Sequence, residues 1–146
     1  MFRRLRFVRY AMAFERAFKS DDWSEVQTHF HPEATYEVIG SGTEWDGVVK
    51  YPQAITRFMK RMLDSLDRRF QSRSPGLDGM PRMKDGVFEL PWKARYVSQA
   101  GQMTLHGVSR CTFKEGRILA LSDTMDADEC RQWGALIGVM PASARA

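Results

Sequence analysis

The sequence predicts an α+β fold in which helices pack on one face of a mainly antiparallel sheet. Three observations lead there. Apolar residues recur at helical spacing up to Leu66. From Val87 onward the apolar period changes to two, the period of a strand. Short turns at Ala100-Gly101 and Lys114-Glu115-Gly116 separate three long alternating runs. Helices first and a meander after them is the order of an α+β domain.

Leu5, Val8, Met12, Phe14, Ala17 and Phe18 define a first helix over residues 3–19. The stretch SDDW caps a second helix over residues 22–30, with Trp23, Val26 and Phe30 on its inner side. His31-Pro32 ends it, because the residue before a proline avoids the helical region. Residues 34–40 read as a strand, and residues 41–49, rich in glycine and polar side chains around Trp45, as a loop. Residues 51–67 form a third helix, with Pro52 near its start and Ile55, Phe58, Met59, Met62 and Leu66 on one face. Residues 68–74 read as a short strand and 75–86 as a loop. Long strands follow at 87–99, 102–113 and 117–126, and a last helix at 127–137.

Alternation sorts the long strands into two faces. One face carries Phe88, Leu90, Trp92, Ala94 and Tyr96, then Met103, Leu105, Gly107, Ser109, Cys111 and Phe113, then Leu119, Leu121, Asp123 and Met125. The other carries Lys93, Arg95, His106 and Arg110, with Val97 and Val108 among them. The first face is apolar and aromatic, yet Asp123 stands in it. An unpaired buried carboxylate costs several kcal/mol by order of magnitude, so it takes a partner or a raised pKa. Tyr36, Tyr96, Trp92 and Trp45 are the candidate partners. An apolar concavity with a few polar groups has the composition of a small-molecule pocket.

Bulk properties narrow the function classes. A chain of 146 residues suits one domain, spanning 1–146. The net charge is +4, but 18 acidic residues are interleaved with 22 basic ones, so no patch suited to nucleic acid is expected. No run approaches the ~18 apolar residues of a membrane helix, so no membrane partner is expected. The one basic cluster, FRRLRFVRY, runs straight into AMAFERAFKSDDW without a small-residue cleavage site, and reads as a structural helix rather than a targeting segment. Cys111 and Cys130 form no Cys-x-x-Cys pair, which fits two reduced thiols in the cytoplasm. His29 and His31 lack an evident third ligand, so no metal is expected, and no cofactor motif is present.

The order of a long helix, SDDWSEVQTHFHPEATYEV, a Trp/Gly loop, a helix, and a meander closing with FKEGRILALSDTMD resembles the NTF2-like superfamily of cone-shaped α+β domains, and within it the SnoaL-like, polyketide cyclase-like branch. The resemblance covers residues 5–135. Ketosteroid isomerases of this fold use a Tyr and an Asp as oxyanion donors and an Asp base; the corresponding positions here are Phe14, Ser109 and Val38, so that chemistry is not implied. Epoxide hydrolases of this fold place five polar residues, of which Tyr36 and Asp123 match; the Asn position is Val38, and Pro91-Trp92-Lys93-Ala94 holds no acid. SnoaL-like cyclases need an acid/base residue in an aromatic cavity, the pattern this sequence meets. The resemblance puts Asp123 on the pocket wall.

The resulting expectation is an enzyme without a cofactor that performs acid/base chemistry on a small hydrophobic substrate. Asp123 would transfer the proton and Tyr36 would orient the substrate. Phe14, Phe18, Val38, Trp45, Trp92, Tyr96, Leu105, Ser109, Leu121 and Met125 would shape the pocket. A binding module that holds a ligand without turning it over is the alternative, favoured by the lack of a second acid. A third reading makes the outer face an assembly surface, and the resemblance implies a homodimer through that face. His106 falls on the outer face by parity, unless a bulge near Gly107 turns it inward. Arg68, Arg69 and Arg73 would bind an anion or pair with acids.

Overall fold

The computed structural model describes residues 2–139; the outer ends of the 1–146 domain expectation lie outside the described residues. The chain runs α1 (Phe2–Ser20), α2 (Ser24–Thr28), β1 (Phe30–Ile39), β2 (Gly47–Lys50), α3 (Pro52–Ser65), a 3₁₀ turn (Asp67–Arg69), β3 (Ser72–Leu77), β4 (Arg82–Lys84), β5 (Val87–Ser98), β6 (Gly101–Lys114), β7 (Arg117–Met125) and α4 (Ala127–Ala135). The strands form one sheet in the order β2-β1-β7-β6-β5-β3, with β4 also paired to β5. Among the described residues only the β1–β7 pair is parallel.

Several local expectations are corrected. The second helix stops at Thr28, and Phe30, His31 and Pro32 belong to β1. Pro32 is tolerated because β1–β7 pairing is interrupted between Phe30 and Thr35, where the missing N–H is not needed. Trp23 is the N-cap of α2 and makes no side-chain cap bond; Asp22 instead accepts from the Ser24 N–H at 3.1 Å and its hydroxyl at 2.7 Å. The expected loop 41–49 ends in β2, which pairs with Thr35–Val38. The expected strand 68–74 is a 3₁₀ turn followed by β3, and the expected loop 75–86 contains the end of β3 and β4. The β4–β5 hairpin turns at Asp85-Gly86, both with positive φ, as does the β6–β7 hairpin at Glu115-Gly116. This is the geometry for which an Asp-Gly pair is suited.

The first helix buries only part of the expected stripe: Ala17 is buried, and Phe14 and Phe18 pack against the core. Phe7, Tyr10, Ala13 and Ala17 face the core, whereas Leu5, Val8 and Met12 are 48%, 42% and 55% exposed. Positions 7, 10 and 14 carry aromatic rings, and these take the inner side: Phe7 packs on Phe88, and Tyr10 meets Phe30 edge-on.

On the sheet, β6 pairs with β5 without interruption from Ser98↔Gly101 to Phe88↔Cys111, so no bulge forms at Gly107. The bulge lies elsewhere. Thr112 pairs with Ala120 and Phe113 with Ile118, leaving Leu119 as the extra residue. Ile118 is therefore buried in the core and Leu119 is only partly buried, the reverse of simple alternation. Beyond the bulge the alternation resumes, and Leu121 and Asp123 point inward opposite Cys111 and Ser109.

Gly107 pairs with Trp92 across β5 and β6, and a Cβ built there would lie 2.2 Å from the indole ring. The missing side chain is what lets the indole lie over the strand. Gly107→Ala is expected to destabilise the fold by about 1–3 kcal/mol through overpacking. A lower melting temperature together with a changed Trp emission spectrum would show it; an unchanged melt would mean the indole is free to move aside.

Candidate functional site

The helices and the concave sheet face enclose a cavity of about 600 Å³ with mostly apolar walls. Of the residues expected to shape a pocket, Phe14, Val38, Trp45, Trp92, Tyr96, Leu105, Ser109, Leu121 and Met125 line it, as do Tyr36 and Asp123. Phe18 does not. Its ring lies instead under the guanidinium groups of Arg68 and Arg73, at 5.5 and 5.0 Å. Trp45 is brought in by the β1–β2 loop, which Asp46 ties together by accepting the Ser41 and Gly42 N–H groups at 3.0 and 2.9 Å. Its ring meets Phe58 edge-on at 5.5 Å. Cys130 and Trp133 of α4 close the wall near Tyr96 and Leu105.

Asp123 is hemmed in by protein yet keeps open surface toward the cavity. Tyr36 Oη donates to its Oδ2 at 2.6 Å, and Ser109 Oγ donates to its Oδ1 at 2.5 Å. Tyr36 arrives from β1, where it is paired in register with Leu121, two residues from Asp123 on the same face. Ser109 is the direct cross-strand neighbour of Asp123. Burial raises the Asp123 pKa; hydrogen bonds from Ser109, Tyr36 and the Trp92 indole pull it partway back. The same burial, with the Asp123 charge second, drives the Tyr36 phenol well above its usual range. Tyr36 is thus held as the donor in its bond to Asp123. Tyr36 and Trp92 are among the expected partners of Asp123. Tyr96 and Trp45 serve elsewhere, and the second hydroxyl comes from Ser109.

A second polar cluster faces the same cavity, and sequence reasoning missed it. Asp67 is 8% exposed at the 3₁₀ turn after α3. Tyr96 Oη donates to its Oδ2 at 2.6 Å, and Arg73 Nε lies 3.3 Å from the same oxygen, too poorly aligned to count as a hydrogen bond. Arg73 Nη1 donates to both oxygens of Glu15, at 3.0 and 2.8 Å. Burial raises the Asp67 pKa, and the Arg73 charge and the Tyr96 hydroxyl oppose that shift. Two of the three arginines of this segment are paired with acids, Arg73 with Glu15 and Asp67 and Arg68 with Asp21 and Asp64, while Arg69 donates to the Ser65 and Ile137 carbonyls. Asp67 follows the apolar face of α3 directly, and no periodicity distinguishes it from a solvent-facing helix end.

The histidines lie apart. His106 is exposed on the outer face, with Nδ1 3.1 Å from Glu129. His31 is buried, and its Nδ1 accepts the Glu33 N–H at 3.1 Å. Among the described residues no group of His, Cys, Asp and Glu is placed to hold a metal ion. Cys111 and Cys130 are buried free thiols, and burial pushes the Cys130 thiol up to about 12.

A helix layer on a curved, mostly antiparallel open sheet, with a cavity between them, defines the NTF2-like class of α+β cone folds, and solved structures of that class superpose on it. TerC, co-crystallised with polyporic acid, has a TM-score of 0.65 at 15% identity, covering 90% of this chain and 98% of that one. An NTF2-like protein of unknown function from Burkholderia pseudomallei has a TM-score of 0.65 at 16% identity, with the same coverage. A candidate polyketide cyclase from Xanthomonas campestris has a TM-score of 0.61 at 16% identity, covering 92% of this chain and 98% of that one. The sequence itself matches the SnoaL-like domain family over residues 11–121, and the chain belongs to that family. Comparison with curated protein sequences gives no significant match.

The raised carboxyl of Asp123 has a definite sign for stability. Its folded pKa lies above the unfolded one, so the fold favours the protonated form. The penalty is absent below about pH 4, the unfolded Asp value, and grows until pH passes the folded value. Asp123→Asn should therefore melt higher than wild type at pH 7, and the gain should shrink as pH falls toward 4. Parallel melts of both proteins across that range test it; an Asn variant that melts lower at every pH would show that the carboxylate is a net stabiliser.

Proposed function

We propose that the protein is a cofactor-free acid/base enzyme acting on a small hydrophobic substrate with an acidic C–H, a carbonyl or an epoxide. The observation that carries this reading is Asp123, a carboxylate bordering an apolar cavity with its pKa raised by burial. A carboxyl group shifted toward neutrality can take a proton from carbon and return it near physiological pH. Tyr36 and Ser109 each donate to one oxygen, which fixes the carboxylate plane and leaves further lone pairs for the substrate. The aromatic walls of Trp45, Trp92 and Tyr96 would hold a flat or polycyclic molecule. The relatives point the same way: one fold neighbour holds polyporic acid and another is a candidate polyketide cyclase. Asp67 supplies a second acid on the same cavity, which removes the sequence-based reason for preferring a binding module.

One observation favours the non-catalytic reading: both Asp123 oxygens are already engaged by hydroxyls, as in a structural network. In that case the cavity stores a hydrophobic ligand unchanged. In either case we place the chain as a single domain in the cytoplasm with both thiols reduced. It would pair as a homodimer through the outer sheet face, where Val97 and Val108 sit among Lys93, Arg95 and Arg110.

The deciding experiment combines thermal-shift screening and turnover assays on aromatic polyketide-like ketones, terpene epoxides and sterols. With a substrate found, Asp123→Asn should lower kcat about 10²–10⁴-fold while ligand binding persists. Tyr36→Phe should mainly raise KM. A ligand that stabilises wild type and both variants, with no turnover by any of them, would assign the binding-module role.

A further inference from the structure

The exposed apolar residues of α1 do not stand alone. Leu5, Val8 and Met12 lie at helical spacing along its solvent side. Across the cavity opening, Leu77, Met80 and Met83 of β3, β4 and their connection are 59%, 77% and 45% exposed. The two groups belong to one surface, because Arg4 Nη2 donates to the Pro81 carbonyl at 3.3 Å. Arg73 and Glu15 join the same two regions further along. Val8, Met12 and Leu77 are both exposed and part of the cavity wall, so the apolar surface continues inward without a polar break. Scattered exposed leucines and methionines need no explanation. Three at the opening, continued by Leu5, Met80 and Met83 on the same two segments, form a patch of the kind that marks an interaction site.

The charge around this rim chooses the occupant. Arg3, Arg4, Arg6 and Arg9 all precede Glu15, the first acidic residue of the chain, so the first half of α1 carries four positive charges and no negative one. Arg3, Arg4 and Arg9 are exposed on α1, with Arg4 and Arg9 flanking the apolar stripe. A second copy of the chain would bring the same cationic helix against itself. An anionic lipid surface complements both features at once: its headgroups meet the arginines, and its acyl region accepts the leucines and methionines. No helix among the described residues is long and apolar enough to cross a membrane. The contact is therefore interfacial, and it departs from the sequence-based expectation of no membrane partner.

We propose that the rim formed by α1 and the β3–β4 segment docks on anionic bilayers, and that hydrophobic ligands pass between bilayer and cavity through the opening it surrounds. The second half of this statement rests on the proposed function. The first half does not, and it is tested without a ligand. The full chain is sedimented with vesicles of phosphatidylcholine alone, and of phosphatidylcholine mixed with phosphatidylglycerol. Binding is expected only to the mixed vesicles, and should weaken with salt.

Two double variants map the surface: Leu5→Asp with Met80→Asp removes the apolar contact, and Arg3→Glu with Arg9→Glu reverses the charge. Each should lower vesicle partitioning about tenfold or more with an unchanged melting temperature, since a basic residue near an anionic surface contributes about 1 kcal/mol. Asp123→Asn should bind vesicles like wild type, so loss of the acid/base reading would leave this result standing. A wild-type chain that stays in the supernatant with mixed vesicles overturns the proposal. So do folded double variants that bind as wild type, and so does self-association in sedimentation velocity that the Leu5/Met80 variant abolishes, which would assign the rim to a second copy.

Discussion

The register of β7 is the constraint on which the rest of the site depends. β7 is held between β1, running parallel, and β6, running antiparallel. A strand has only two faces, so a slip by one residue would turn Asp123 to the outer face and bring Ser122 in. The bulge at Leu119 performs one such shift, early in the strand and in a useful place. It lets Ile118 fill the core beneath Phe30 while Leu121 and Asp123 keep the inward phase opposite Cys111 and Ser109. The hydroxyls of Tyr36 and Ser109 reach the same carboxylate because both neighbouring strands are locked to that phase.

Asp123 shows how little polar chemistry an apolar cavity can hold and still fold. Burial alone would force the carboxyl toward its neutral form. Three donors offset part of that cost. The Asp67 cluster solves the same problem differently, with a phenol and a guanidinium that is itself shared with Glu15. Both carboxylates border one cavity, and the Asp67 charge is felt at Tyr36, the partner of Asp123.

The outer surface divides between two kinds of polarity. The convex sheet face carries charge among its residues, with Glu89 buried between Arg82 and Arg110 at 3.7 and 3.3 Å. The opening of the cavity carries apolar side chains rimmed by arginine. A helix over the opening of a hydrophobic cavity has two apolar sides to satisfy. In α1 the aromatic residues take the interior and the smaller aliphatic ones are left outside.

The sequence by itself determined the class of fold and the inward position of Asp123, because both follow from periods counted along a chain. The change from helical spacing to alternation separates helices from meander, and parity carries a residue's face down a strand as long as no bulge intervenes. The NTF2-like resemblance rested on that same order of elements. What only the tertiary structure decided involves choices that local patterns leave degenerate. Two apolar stripes compete on α1, and packing volume, not periodicity, selects Phe7 and Tyr10 over Leu5 and Met12. The bulge at Leu119 is a one-residue event with no glycine to announce it. Ser109 becomes a partner of Asp123 only through cross-strand register, and Asp67, Tyr96, Arg73 and Glu15 are linked from four separate elements, the two acids through Arg73. Such meetings depend on distances in space between residues far apart in the chain, and no spacing along the sequence encodes them.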